Sequence, residues 1–268
     1  MRRASFAIEK RAEHLACGEE AVSGAPVVVV LGGTGGIGSQ LTRRLSGAGT
    51  HVLAVARTES DLTTLASETG AETLSADATR FEAVEEAAAR ARDLWGRIDG
   101  IVNCVGSVLL RPAHMTSESA YRETIALNLD TAFAAVRAGG KAMQEGGSIV
   151  LVSTAAVRSG LPNHEAIAAA KGGVEGLVRS AAATYGPAGI RVNAVAPGLV
   201  RTPLTERITS NERASEASRS LHVLGRLGEP EDVASAIAWL LEPEQGWVTG
   251  QVLGVDGGLG SARTMPRG

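Results

Sequence analysis

The sequence predicts an α/β protein built on one doubly wound parallel sheet of about seven strands. Three observations carry that prediction. Short apolar runs alternate with longer segments of helical period from Pro26 onward; glycine and proline interrupt those segments where stops are needed; and the chemically unusual residues follow the apolar runs rather than the helices. The runs are Val27–Leu31, His51–Ala56, Glu72–Ser75, Ile101–Val105, Ser148–Val152, Arg191–Val195 and Val252–Val255. Between them Ile37, Leu41, Leu45 and Ala48 repeat at helical spacing, as do Phe81, Val84, Ala88 and Ala91, and Gly49, Gly70, Gly146-Gly147 and Gly186-Pro187 supply the stops. In an open parallel sheet a ligand sits beyond the carboxyl ends of the strands, near the point where strand order reverses. Gly32 to Gly38 follow the first run, Arg57 the second, Asp77 the third, Asn103 to Gly106 the fourth, Ser153 and Thr154 the fifth, and Pro197-Gly198 the sixth.

Composition narrows the function. The chain has 268 residues, of which 44% are hydrophobic, and a formal net charge of -3. That charge leaves no electrostatic footprint for nucleic acid or an anionic membrane, so both are set aside as partners. Cys17 and Cys104 cannot make a multi-bridge framework, and with no CxxC or Cys/His cluster no metal site is expected and a reducing, cytoplasmic location is. No apolar stretch approaches the ~18 to 20 residues of a membrane helix. Residues 1–25 mix arginines with glutamates, lack an apolar h-region and read as a loosely ordered extension. Residues 26–260 read as one domain, with a C-terminal tail over 261–268.

The run Gly32-Gly33-Thr34-Gly35-Gly36-Ile37-Gly38 joins a buried strand to a helix. Without side chains the backbone can turn tightly and approach a pyrophosphate, while free N–H groups and the positive end of the helix dipole face the anion. The run parses as GxGxxG from Gly33 or as GxxxGxG from Gly32. A fold specific for NAD usually carries an acidic residue ~20 positions past the glycines, whereas arginine suits the 2'-phosphate of NADP. The second strand ends Ala56-Arg57-Thr58, with no carboxylate until Glu59, which favours NADP(H) over NAD(H); the plainer reading of Arg57 is a solvated surface residue.

Taken together, these motifs resemble a short-chain dehydrogenase/reductase. The likeness runs from Pro26 to Gly258 and includes the glycine loop, Asp77 in Ala76-Asp77-Ala78, Asn103-Cys104-Val105-Gly106, Asn128, Lys171, Asn193-Ala194-Val195-Ala196-Pro197-Gly198 with Thr202, and Asp256-Gly257-Gly258. The resemblance implies a Rossmann-type NADP(H)-binding domain. Its cofactor contacts would be Gly32, Thr34, Gly36, Ile37, Gly38, Arg57, Asp77, Ala78, Asn103, Val105, Gly106, Lys171, Pro197, Gly198, Val200 and Thr202. Asp77 would contact adenine, Asn103 would lie beside the adenosine end, and Val200 and Thr202 would hold the carboxamide. The resemblance also implies a mobile substrate lid near residues 201–227 and a homotetramer or homodimer, with the helix around Asn163 to Tyr185 and the strand near Val252 at interfaces.

The chain departs from that family at one position. Family members use a tyrosine as proton donor and a lysine four residues later, and four residues before Lys171 stands Ile167. Isoleucine has no proton to give. By the family's spacing the serine position falls on Thr154, whose hydroxyl can still donate, and the asparagine that orders a water relay is Asn128. His164 precedes Lys171 by seven residues, about two turns at ~3.6 residues per turn, so a continuous helix behind an Asn163 cap would put both on one side with Ile167. Histidine can act as an acid near neutrality, which makes His164 the leading replacement. Glu165 is expected to be solvated, Tyr121 packed against a helix neighbour, and Cys104 filling a small apolar space.

Three functions fit. One is an NADP(H)-dependent reductase acting on an activated C=C bond of an enoyl compound, where Thr154, Lys171 or a bound water serves the enolate. Another is a ketone or alcohol oxidoreductase with a relocated acid. The third is a non-catalytic NADP(H)-binding sensor or assembly protein. In the first two the partner is a small-molecule substrate.

Overall fold

The computed structural model describes residues 24–263. The expectation for residues 1–25 therefore lies almost wholly outside the described residues, as does most of the predicted tail. Seven strands pair in the order β3-β2-β1-β4-β5-β6-β7, every neighbour parallel. They are β1 (Val27–Leu31), β2 (His51–Ala56), β3 (Glu72–Ser75), β4 (Gly100–Asn103), β5 (Gly147–Val152), β6 (Ile190–Pro197) and β7 (Val252–Val255). The connecting helices are α1 (Gly36–Gly47), α2 (Glu59–Thr69), α3 (Phe81–Trp95), α4 (Glu118–Ile125), α5 (Thr131–Ala142), α6 (Glu165–Tyr185), α7 (Glu212–Leu221) and α8 (Pro230–Leu241). Because sequence order reverses at β1, the crevice lies between β1 and β4, whose ends are aligned by Leu31 opposite Asn103.

Two cores follow from the period-two pleat. Val27, Val29 and Leu31 pack with Leu53, Ile101 and Ile149 against α3, α5 and α6, while Val28 and Val30 pack with Val52, Val102 and Val150 against α1 and α8. Burial on both faces is why β1 reads as an unbroken valine run rather than an alternation. α2 and α3 end on Gly70 and Gly96, both in the left-handed conformation.

Several boundaries differ from the sequence reading. β4 ends at Asn103 rather than Val105, because the Asn103 Oδ1 accepts the Val105 N–H at 3.1 Å and turns the chain. β6 runs on to Pro197, since Ala196 and Pro197 still pair with Gly254 and Val255. α6 begins at Glu165 with His164 at its N-cap position; Asn163, expected as the cap, sits at φ 64 outside the helix. Ala48 caps α1 and is exposed, and Tyr121 is exposed beside Arg122 rather than packed.

Candidate active site

The glycine loop is built by what its residues lack. Gly32 turns at φ +74, and a Cβ there would lie 2.9 Å from the Val105 nitrogen; one on Gly38 would lie 2.1 Å from the Gly32 carbonyl oxygen. At Gly36 it would meet the Thr202 side chain at 2.6 Å. The three loops after β1, β4 and β6 thus meet at van der Waals contact only because these side chains are absent. The Gly32 and Gly33 amides are spent on the Val55 carbonyl, at 2.8 and 3.0 Å. Among the described residues the amides of Gly36, Ile37 and Gly38 have no partner, and they open the first turn of α1. Unpaired amides in a cradle that any Cβ would fill fit the pyrophosphate of a dinucleotide.

The ends of β2 and β3 add charge. Arg57 is exposed, and among the described residues its guanidinium pairs with no carboxylate within salt-bridge distance. Asp77 is exposed too. Its Oδ1 accepts the Thr79 N–H at 3.0 Å and the Thr79 hydroxyl at 2.8 Å, and these bonds, followed by the nearby Arg57 and Arg80 charges, hold its carboxyl below the usual aspartate value. Ala78 is buried beside it.

On the other side of the crevice the polar groups are buried. Ile167, Lys171, Val174, Glu175 and Val178 form the inward stripe of α6. Lys171 is 6% exposed, and its Nζ donates to the Val152 carbonyl at the end of β5, at 2.7 Å. Desolvation pulls its pKa from 10.5 down to about 8. A Cβ on Gly106 would lie 3.6 Å from that Nζ and 3.0 Å from the Asn128 Oδ1, so the bare Gly106 backbone passes between lysine and asparagine. Asn128 sits in a π-helical turn, Ala126–Asp130, between α4 and α5. Its Nδ2 donates to the Ser107 hydroxyl and the Thr124 carbonyl, both at 2.9 Å, and its Oδ1 accepts the Ser107 N–H at 3.2 Å. Asn103 likewise donates to the Thr131 hydroxyl at 3.0 Å. Both asparagine side chains thus hold neighbouring backbone amides, Asn128 that of Ser107 and Asn103 that of Val105.

Thr154 follows β5, and its Oγ1 accepts the Ala156 N–H at 3.3 Å, leaving the O–H free to donate. Ile167 is buried at 5% exposure. The His164 Nδ1 lies 2.7 Å from the Pro162 carbonyl, which assigns the proton of the neutral ring to Nδ1 and leaves Nε2 available. Desolvation pushes the Cys104 thiol up to about 12, which keeps it protonated. Pro197 and Val200 are buried, Gly198 is half-buried, and Thr202 caps the turn Pro203–Thr205 together with Thr205. Among the described residues no group of three His, Cys, Asp or Glu side chains could hold a metal, and no helix is long and apolar enough to cross a membrane.

Two groups escaped the sequence reading, Ser107 and Glu175. Ser107 occupies Asn128, and the Ser153 hydroxyl donates to the Glu175 Oε1 at 3.0 Å, with both residues buried beneath Lys171. A carboxylate on the apolar stripe of α6, four residues after Lys171, was the only signal for that pair.

Comparison with known proteins agrees with this geometry. Residues 32–260 match the family described as Enoyl-(Acyl carrier protein) reductase. The chain is 37% identical to the short-chain reductase protein NovJ of Streptomyces niveus over 90% of this chain and 96% of that protein. It is 38% identical to the 2,3-dihydroxy-2,3-dihydro-p-cumate dehydrogenase of Pseudomonas putida over 87% of this chain and 93% of the other. A solved short-chain type dehydrogenase/reductase from Mycobacterium ulcerans superposes with a TM-score of 0.84 at 31% identity, covering 87% of this chain and 89% of that one. In sequence and in fold alike, over most of its length, the chain belongs to the short-chain dehydrogenase/reductase family.

Proposed function

We propose that the protein is an NADP(H)-dependent oxidoreductase that transfers hydride to a carbonyl or an activated C=C bond and draws its proton from a group other than tyrosine. The observation that carries this reading is the backbone cradle of Gly36, Ile37 and Gly38, closed by Thr202 and flanked by the free guanidinium of Arg57. The three amides would bind the pyrophosphate, Arg57 the 2'-phosphate, and Asp77, Ala78 and the Asn103–Gly106 turn the adenosine end. Thr34 and Gly32 shape the loop. Lys171 would hold the nicotinamide ribose, and Pro197, Gly198, Val200 and Thr202 the carboxamide side.

A bound nicotinamide supplies the hydride. The chain supplies the rest. Lys171 has one of its three donors on Val152 and two left for ribose hydroxyls or a proton relay. Thr154 offers its O–H to the substrate oxygen, which becomes an oxyanion whether a ketone or an enoyl compound is reduced. His164, held by Pro162, presents Nε2 as the exchangeable site. Buried Ile167 keeps water from the position where a phenol would stand.

The segment 201–227 is the lid in this reading. No residue of α7 is buried, which suits a helix that lies over the crevice as part of a lid. Leu253 of the edge strand β7 and Trp247 shortly before it stand exposed, which fits an interface of a homotetramer or homodimer. The test is to mix the purified protein with NADPH and a panel of ketones and enoyl thioesters while following the absorbance of reduced nicotinamide. Loss of absorbance with at least one substrate is expected. Binding of NADPH without turnover of any would instead describe a sensor, and absence of binding would overturn the reading.

A further inference from the structure

Where the lid returns to the sheet it buries an imidazole ring. His222, the residue after α7, is 4% exposed and has both nitrogens bonded to backbone: Nδ1 to the Ser218 carbonyl in the last turn of α7 at 2.7 Å, and Nε2 to the Leu199 N–H at 3.2 Å. A carbonyl only accepts and a backbone amide only donates, so the contacts fix the tautomer: Nδ1 carries the hydrogen and Nε2 the lone pair. The ring fills space that Gly198 leaves, since a Cβ there would lie 2.4 Å from Nε2. The charged groups around the same cavity are engaged elsewhere. Arg226 forms a two-pronged pair with Asp232, at 2.6 and 2.9 Å, and the Asp256 carboxylate accepts the Gly258 and Gly260 N–H groups, both at 2.9 Å.

Leu199 precedes Val200, whose carbonyl accepts the Thr205 hydroxyl, and Thr205 in turn bonds Thr202, the residue packed over Gly36. One chain of contacts therefore runs from the last turn of the lid helix to the glycine loop. We propose that His222 is a positioning residue that fixes the Leu199 peptide against the end of α7, so that lid position and the geometry of the Pro197–Thr202 loop change together. The proposal rests on the reading of that loop as a cofactor loop, and its test separates the two.

Three variants divide the roles of the ring. His222→Gln places an amide oxygen near the Nε2 position, where it can accept from Leu199; His222→Asn reaches only the Nδ1 position and can donate to Ser218; His222→Leu keeps bulk and neither bond. Leaving a buried amide unpaired costs enough to weaken NADPH binding about tenfold in the Asn and Leu variants, with Gln staying within about threefold of the parent. Amide hydrogen exchange at Leu199 should quicken in Asn and Leu but not in Gln, and imidazole nitrogen NMR of the parent should show Nε2 unprotonated. A ring that serves packing alone would give Gln and Asn the same effect, and that result overturns the proposal. So does unchanged Leu199 exchange in both Asn and Leu. If the Leu variant fails to fold, the Gln and Asn pair decides the matter. If the parent binds no NADPH, the cofactor reading falls, while the coupling is still judged by exchange at Leu199.

Discussion

The two sides of the crevice are built from different materials. On the β1–β3 side the groups offered to a ligand are backbone amides and exposed charges, held by glycines that no other residue could replace without collision. On the β4–β6 side they are mostly buried side chains that are already bonded within the chain: Asn128 to the Ser107 hydroxyl, Ser153 to the Glu175 carboxylate, Lys171 to the Val152 carbonyl. Backbone geometry of the first kind serves any dinucleotide enzyme. In the proposed function the second kind sets the chemistry, and there buried Ile167 stands one helical turn before Lys171. Under the proposed function the first side is the binding half and the second the reaction half, so each can be tested apart from the other.

The largest effect should come from the binding half. Gly38→Ala would drive a Cβ to within 2.1 Å of the Gly32 carbonyl, which neither backbone segment can relieve without moving. Overpacking of this kind costs ~1–3 kcal/mol or more, so NADPH binding should be lost and the melting temperature should fall by several degrees. A variant that melts and binds like the parent would show that the loop is not the rigid cradle described.

Lys171→Met should come next, lowering turnover by about a hundredfold if the ammonium takes part in the proton path. The same group predicts a pH limb. Lys171 is charged below about 8 and neutral above, so kcat/KM for reduction should fall as pH rises through about 8, and the limb should vanish in the Met variant. Stability moves the other way. The folded-state pKa lies below the unfolded one, so burying the charge opposes folding below about 8, and that penalty fades as pH rises toward 10.5, where the unfolded chain still holds the proton. Thermal melts across that window would reveal it.

Smaller effects sharpen the reaction half. His164→Ala should lower turnover about tenfold or more while leaving NADPH affinity nearly unchanged; unaltered turnover removes His164 as the acid. Ile167→Tyr should create or raise reduction of simple ketones, because a phenol one turn before Lys171 meets a cation that lowers its pKa from ~10. The variant must first be shown to fold and bind NADPH, since the phenol is larger than the buried isoleucine.

Where sequence and structure part company, local hydrogen bonding is the reason. The strands β1, β2, β3 and β7 were legible to the residue, because apolar runs bounded by glycine or polar turns leave little choice. β4 could not be read the same way: Val105 is as apolar as Val102, and only the Asn103 side chain, by capturing the Val105 amide, ends the strand. The start of α6 was hidden by Asn163, whose positive φ no pattern announces. Within the candidate site the glycine loop was legible because its residues act by absence. The pairing of Ser153 with Glu175 was not, since periodicity reports which side chains are buried and is silent on what they touch.

The choice of cofactor is the most direct test of the whole reading, because Arg57 is the one charged group at the end of β2 and pairs with no carboxylate within salt-bridge distance among the described residues. Calorimetric titration of the protein with NADPH and with NADH, repeated on Arg57→Ala, isolates it. NADPH should bind at least about tenfold more tightly than NADH, and the Ala variant should lose that margin through weaker NADPH binding alone, as expected for one charge-assisted contact to a phosphate. Equal affinities in the parent, or tighter binding of NADH, would contradict the claim that this chain is an NADP(H) enzyme.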